Sequence, residues 1–292
     1  MTVDDQDWLA ERFQEQRPHL RSVAYRLLGS LNEADDALQE AWLRVSRSDA
    51  SAVGNLGGWF TTIVARVSLN MLRSRKSKRE SPLEDRLPDL IVSPRDGGDP
   101  EHETLIADSV GLAMLVVLET LTPAERVAFV LHDAFAVPFD EIASITDRTP
   151  AAVRQLASRA RRRVRAQAPV PETDLASQWE VLDAFAAASR EGDFDALVAV
   201  LDPDIVLRED GGPGESRLVR GARAVAERAF MFRRLGPSGR PALVNGAAGV
   251  VVAPEGRVFA VMGFTVADGR IAEIYVLNDP ERLGAIDFSG VL

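Results

Sequence analysis

The sequence predicts a multidomain chain: two all-α helical modules, the second carrying a helix-turn-helix, followed by an α+β domain. Three observations predict it. Apolar residues recur at helical spacing through residues 1–80 and again over 108–168. A stretch rich in Pro, Gly and acid, without sustained periodicity, parts the two. Beyond residue 177 two amphipathic helices give way to β-type runs separated by glycine-bearing turns.

The 292 residues suffice for two or three such domains. The absence of cysteine excludes a disulfide framework and any Cys-based metal site or nucleophile, and it fits a reducing compartment. The N-terminus, MTVDDQDWLAER, is acidic and polar, unlike a signal peptide. The longest apolar run, Gly111 to Leu118, is far shorter than the roughly 20 residues a bilayer demands. A cytoplasmic protein without a membrane partner is expected.

In the first module, LNEADDALQEAWLRV places Ala34, Leu38, Ala41, Trp42 and Val45 on one helical face, and Asp35, Asp36, Gln39 and Glu40 on the other. A second helix, WFTTIVARVSLNMLRSRKSKRE, carries the stripe Trp59, Phe60, Ile63, Val64 and Val67 and ends strongly basic. The linker, 81–107, has one apolar cluster, Leu87 to Val92, which predicts docking rather than free motion. In the second module, 108–168, Thr122-Pro123 reads as a helix cap with proline at the first helical position, opening the helix ERVAFVLHDAF. FDEIASI, the turn TDRT and a helix capped by Thr149 and opened by Pro150 complete a helix-turn-helix. A Pro-bearing hinge, 169–176, leads to the third region, 177–292. It holds the helices SQWEVLDAFAAASREGD and FDALVAVL, a helix over 222–235, and strand-like runs DIVLRED, PALVNGA, GVVVA, RVFAVMGFTVA and RIAEIYVL.

The stretch TPAAVRQLASRARRRVR holds six arginines and no acid, in a chain of net charge −10. Val153, Leu156, Ala157, Ala160 and Val164 form its apolar stripe, so Arg154, Gln155, Ser158, Arg159 and Arg162 face outward. The second helix of such a motif enters the major groove. There arginine reads guanine and glutamine reads adenine through paired hydrogen bonds. The distal Arg161, Arg162, Arg163 and Arg165 suit phosphates, which position without discriminating sequence. Acid elsewhere repels the duplex, which predicts weak DNA binding by the free chain and a partner that loads it.

HLRSVAYRLLGSLNEADDALQEAWLRV and LTPAERVAFVLHDAFAVPFDEIASITDRTPAAVRQLASRARRRV together resemble the extracytoplasmic-function (ECF) sigma factors, promoter-recognition subunits of bacterial RNA polymerase. The third region resembles a SnoaL-like cone, a fusion that marks one subgroup of these factors. The resemblance implies core RNA polymerase (β′ and β subunits) and promoter DNA as partners, and no cofactor or metal. It puts Asp35, Asp36, Gln39 and Glu40 at the polymerase contact and Thr62, Arg66, Asn70, Arg73 and Arg75 at the minus-ten element. Arg154, Gln155, Ser158, Arg159 and Arg162 fall at the minus-thirty-five element. Subgroup motifs imply regulatory contacts at Leu87 and Pro88, within RLPDLIV, and at Asp210, Gly211, Gly212, Asp279, Pro280, Glu281, Arg282 and Leu283. Arg86 and Leu90 depart from the Trp-Leu-Pro-Glu-Pro pattern of the linker element.

The implied function is promoter-specific initiation, modulated in cis by the C-terminal domain. The apolar interior of the cone leaves room for an unidentified small ligand. Two other readings stand beside this one. A stand-alone helix-turn-helix regulator would sense a ligand through the third region and would not need the acidic helix. A SnoaL-type isomerase or cyclase would need a titrating group near its substrate. For that, the third region offers Asp204, Glu209, Asp210 and Tyr275 but no histidine, and no enzymatic activity is expected.

Overall fold

The computed structural model describes residues 3–50, 53–78, 87–96, 111–231 and 239–292. The chain divides into two compact units. One comprises Met1–Pro82 with Val117–Gln167; the other comprises Leu83–Val116 with Ala168–Leu292.

The first unit begins with α1 (Val3–Leu28), α2 (Leu31–Val45) and α3 (Leu56–Lys78), each packed against the other two. Leu20, Ala24, Leu27, Ala34, Leu38, Ala41, Phe60 and Val64 are buried between them. The Phe13 ring meets Trp42 at 5.3 Å and Phe60 at 5.2 Å between centroids. Trp42, expected on the apolar stripe, is only half-buried, while Ala37 joins the core.

After α4 (Leu112–Glu119), which crosses the boundary between the units, come α5 (Pro123–Phe129), α6 (Phe139–Thr146) and α7 (Pro150–Gln167). Thr122 and Glu125 form a reciprocal capping box: Thr122 N donates to Glu125 Oε2 at 3.1 Å and Glu125 N to Thr122 Oγ1 at 3.4 Å. The expected helix ERVAFVLHDAF is not uniform, because Val130–Ala134 winds into a π turn. Asp147, in the left-handed region at φ 56°, ends α6. Thr149 Oγ1 then accepts from Ala152 N at 3.3 Å and caps α7. The helix α3 also packs against α5 and α6, so the two helical modules form one unit.

The second unit is built on a seven-stranded sheet in the order β1-β4-β5-β6-β7-β2-β3. Its strands are β1 (Val92–Pro94), β2 (Leu201–Asp210), β3 (Arg217–Arg220), β4 (Gly239–Val244), β5 (Ala247–Val252), β6 (Ala260–Ala267) and β7 (Arg270–Leu277). All pairings are antiparallel except β2 with β7. Alternate residues feed two cores. Leu207, Phe264, Val266 and Ile274 pack with Trp179, Leu182, Phe185 and Leu197 of α8 (Leu175–Glu191) and α9 (Phe194–Ala199). Val244, Val251, Val261, Tyr275 and Leu277 pack with Leu87, Leu90, Val92, Leu112 and Ala113. The helix α10 (Ala222–Met231) covers β2, and a short α11 (Pro280–Leu283) follows β7. Residues 232–235 of the expected helix lie outside the described residues, as do 81–86 and 97–107 of the linker.

Two strands were not expected. β1 is three residues from the linker, and it becomes a strand because β4 offers it an edge: Val92 pairs with Val244, Ser93 with Leu243 and Pro94 with Ala242. β3 is a four-residue edge strand with too little alternation to be read locally.

Burial raises the Glu125 carboxyl pKa, but hydrogen bonds from the Thr122 side chain and backbone, with the charges of Arg163 and Arg159, outweigh it and hold the pKa below its ordinary value. The stabilisation this provides is present above the ordinary glutamate range and is lost as pH falls through the depressed folded value. Thr122→Ala should lower the local stability of α5 by about 1 kcal/mol. Hydrogen exchange of the α5 amides measures this loss, and Glu125→Gln should abolish its acid dependence.

Candidate nucleic-acid interface and linker clamp

The helix α7 buries Val153, Ala157, Ala160 and Val164 and exposes Arg154, Gln155, Ser158, Arg159 and Arg162, all five proposed readers on its open side. The distal arginines divide. Arg161 Nε donates to Asp133 Oδ1 at 2.6 Å. Arg163 Nη1 donates to Thr120 O at 3.3 Å and lies 3.5 Å from Glu125. These two fasten α7 to its own module, while Arg162 and Arg165 stay exposed.

On α3, Thr62, Arg66, Asn70 and Arg73 follow one another at four, four and three residues and so share a face. Arg66, Asn70 and Arg73 are exposed. The Thr62 hydroxyl donates to Gly58 O at 2.9 Å, and Arg66 Nη2 donates to Ser144 O, near the end of α6, at 3.0 Å. Arg75 is half-buried; its Nε donates to Glu33 Oε1 at 2.9 Å and its Nη1 to Leu28 O at 3.1 Å. It braces the junction of α1, α2 and α3.

On α2, Asp36, Gln39 and Glu40 are exposed. Asp35 is held by Arg21 at 3.0 and 2.9 Å and approached by Arg17 at 3.5 Å, and Glu40 pairs with Arg44 at 2.9 Å. Leu43, 44% exposed, extends the stripe Asp36–Gln39–Glu40 by one turn. Sequence reading overlooked it because one leucine beside a polar face carries no periodic signal.

The expected regulatory residues meet in the second unit. Asp210, at the end of β2, is buried with side-chain exposure of 3%, and it ion-pairs with Arg282, at 8%. Asp210 Oδ2 also accepts from Leu87 N at 2.9 Å, and Oδ1 accepts from Gly212 N at 3.2 Å. Arg282 Nη2 reaches Leu87 O at 2.8 Å, Pro88 O at 3.1 Å and Asp89 Oδ1 at 3.0 Å. Gly212 has φ 99°, and a Cβ there would come within 3.2 Å of the Asp279 carboxylate. Gly211 packs against Glu215 and Asn278. Asp279 Oδ1 accepts from Glu281 N at 3.0 Å and caps α11, which aims Arg282 inward and buries Leu283; Pro280 and Glu281 remain exposed.

Two further linker anchors had no sequence signal. Asn245, in the left-handed region at φ 49°, donates its N–H to Ile91 O at 2.8 Å, and its Oδ1 accepts from Ile91 N at 3.2 Å. The Arg95 guanidinium lies 4.4 Å from the Trp179 ring centroid.

The carboxylates considered for acid–base work have structural partners or face solvent. Asp204 is exposed. Glu209 accepts from Arg228 Nε and Nη2, both at 2.8 Å. The buried Tyr275 hydroxyl donates to Glu273. Burial raises the pKa of Glu273, against the Tyr275 hydrogen bond and the charges of Arg208 and Arg220. Burial, then the neighbouring Glu273 carboxylate, drive the Tyr275 pKa well above its ordinary value. Among the described residues no group of three His, Asp or Glu could hold a metal ion, and no helix is long and apolar enough to cross a membrane.

Comparison with known proteins defines the class first. Residues 13–78 match Sigma-70 region 2 and residues 112–164 match Sigma-70, region 4. The chain is 38% identical to the ECF RNA polymerase sigma factor SigJ of Mycobacterium tuberculosis, over 92% of this chain and 91% of that one. It is 30% identical to the probable ECF sigma factor SigI of the same species, over 96% and 97%. The crystal structure of M. tuberculosis SigJ superposes with a TM-score of 0.75 at 36% identity, covering 96% of this chain and 98% of that one. The chain belongs to the ECF sigma factors. Its fold is two helical sigma modules and a C-terminal SnoaL-like α+β domain.

Arg282→Ala would strand Asp210 without its cation, a change that costs about 3–5 kcal/mol at buried pairs. The expected result is release of residues 87–94, read as faster hydrogen exchange at Leu87 and Ile91 and as altered Trp179 fluorescence.

Proposed function

We propose that the chain binds core RNA polymerase through α2, reads promoter DNA through α3 and α7, and is restrained in cis by the capture of its own linker. The exposed arginine face of α7, set on a capped helix-turn-helix within this family, carries the reading. Asp36, Gln39 and Glu40 act as the polymerase contact, with Leu43 as its apolar end. Arg66, Asn70 and Arg73 meet the minus-ten element, and Arg154, Gln155, Ser158, Arg159 and Arg162 meet the minus-thirty-five element. The protein works by binding, without turnover, in the cytoplasm.

Distance supports the restraint. The element names place the two sites ~25 base pairs apart, on the order of 85 Å of duplex at 3.4 Å per base pair. A compact unit of about 130 residues is only about 35–40 Å across. The α3–α6 contact, with Arg66 on Ser144 O, must therefore open before both elements are held. Residues 83–111 can span about 95 Å when extended. Residues 87–94 are not free to move with either reader while they are held by Asp210, Arg282, Asn245 and the edge of β4. Undocking frees these residues to add their reach to the linker as the readers separate.

In vitro transcription with core polymerase over a promoter library tests the proposal, using the full chain and a chain ended after Pro169. A chain that never co-elutes with polymerase and directs no start site would overturn it, and equal activity of both forms would remove the restraint. Asp36→Lys combined with Glu40→Lys should weaken polymerase binding at least about tenfold, in line with the about 2–5 kcal/mol lost at disrupted interfacial charge pairs. Titration of labelled protein with core enzyme measures it.

A further inference from the structure

Phe139 opens α6, and its ring stacks on the His132 imidazole, with centroids 3.8 Å apart and planes at 26°. His132 belongs to the π turn and is itself fixed, with Nδ1 3.1 Å from Val137 O. The Arg154 guanidinium lies 5.7 Å from the Phe139 ring centroid, within cation–π range. Neither Phe139 nor His132 belongs to the polymerase contact or to either reading face.

We propose that Phe139, seated on His132, is a positioning residue that presents Arg154 to a base edge and so sets part of the minus-thirty-five preference. This rests on the proposed role of Arg154. An exposed arginine samples many rotamers and must give them up to read a base. A ring beneath the guanidinium restricts that freedom before DNA arrives. Stacking uses the face of the planar group and leaves its N–H edge available, and the edge is what pairs with O6 and N7 of guanine. The π turn serves the same end, because it seats His132 beneath Phe139 and so limits where the Phe139 ring can lie. Phosphate contacts need no such orientation, so the effect falls on discrimination rather than on general affinity.

The test is transcription by core polymerase with the full chain, on templates randomised through the minus-thirty-five element. Arg154→Ala identifies the base position that Arg154 reads. At that position Phe139→Leu should reduce discrimination about two- to fivefold, the range of an exposed cation–π contact. Preference elsewhere and affinity for non-specific DNA should be unchanged. Phe139→Tyr should restore discrimination and Phe139→Trp should equal or exceed the parent. Unchanged or increased discrimination in Phe139→Leu overturns the proposal. Should that variant fail to fold, the Trp and Tyr variants decide, and discrimination below the parent in both overturns it. An Arg154→Ala chain with unaltered preferences overturns the reading beneath it, a result separable from a flat Phe139 series.

Discussion

The buried pair of Asp210 and Arg282 is the interaction on which the second unit's hold over the linker depends. The guanidinium has one arm on the carboxylate and the other on the Leu87 and Pro88 carbonyls and the Asp89 side chain. Burying Leu87, Leu90, Ile91 and Val92 yields roughly 6–12 kcal/mol. Ordering residues 87–94 costs roughly 8–16 kcal/mol in backbone entropy. These terms nearly cancel, so the polar clamp and the β1–β4 hydrogen bonds decide whether the segment stays.

One residue type serves two ends in α7. Arg161 and Arg163 turn inward to Asp133, Thr120 and Glu125 and fix the helix in its module. Arg154, Arg159 and Arg162 stay outward. On the proposed function, acid elsewhere in a chain of net charge −10 weakens non-specific attraction to a duplex. Specific reading then depends on docking and on the preparation of individual side chains.

On the proposed function, the first unit is a resting state. Arg66 holds a carbonyl of the helix-turn-helix instead of a promoter, and α3 packs where it must later part from α6. The linker between them includes residues 92–94, which are paired onto the sheet of the second unit. The readers are held by Arg66 on Ser144 and the linker by Asp210 and Arg282, two separate contacts within one chain.

Much of this was legible in the residues. Helical spacing delineated α2, α3, α6 and α7. Thr122-Pro123 and Thr149-Pro150 marked two caps, which the structure realises with side-chain oxygens on backbone N–H groups. The apolar stripe of α7 fixed which arginines turn outward, because a 3.6-residue period leaves little choice once one face is buried. The apolar cluster Leu87 to Val92 foretold that the linker docks, and Asp210 and Arg282 of the family motifs are among the residues it meets. Local sequence could not reveal that Val92–Pro94 becomes a strand, since a three-residue strand exists only where another strand offers an edge. Nor could it reveal the anchoring of Ile91 by Asn245, the capture of Arg75 by Glu33 and Leu28, or the seating of Phe139 on His132. Each of these joins groups distant in the chain, or close in it but turned together by a π turn. Periodicity reports which face of an element is buried, whereas tertiary structure alone decides what that face, and each long side chain beside it, will touch.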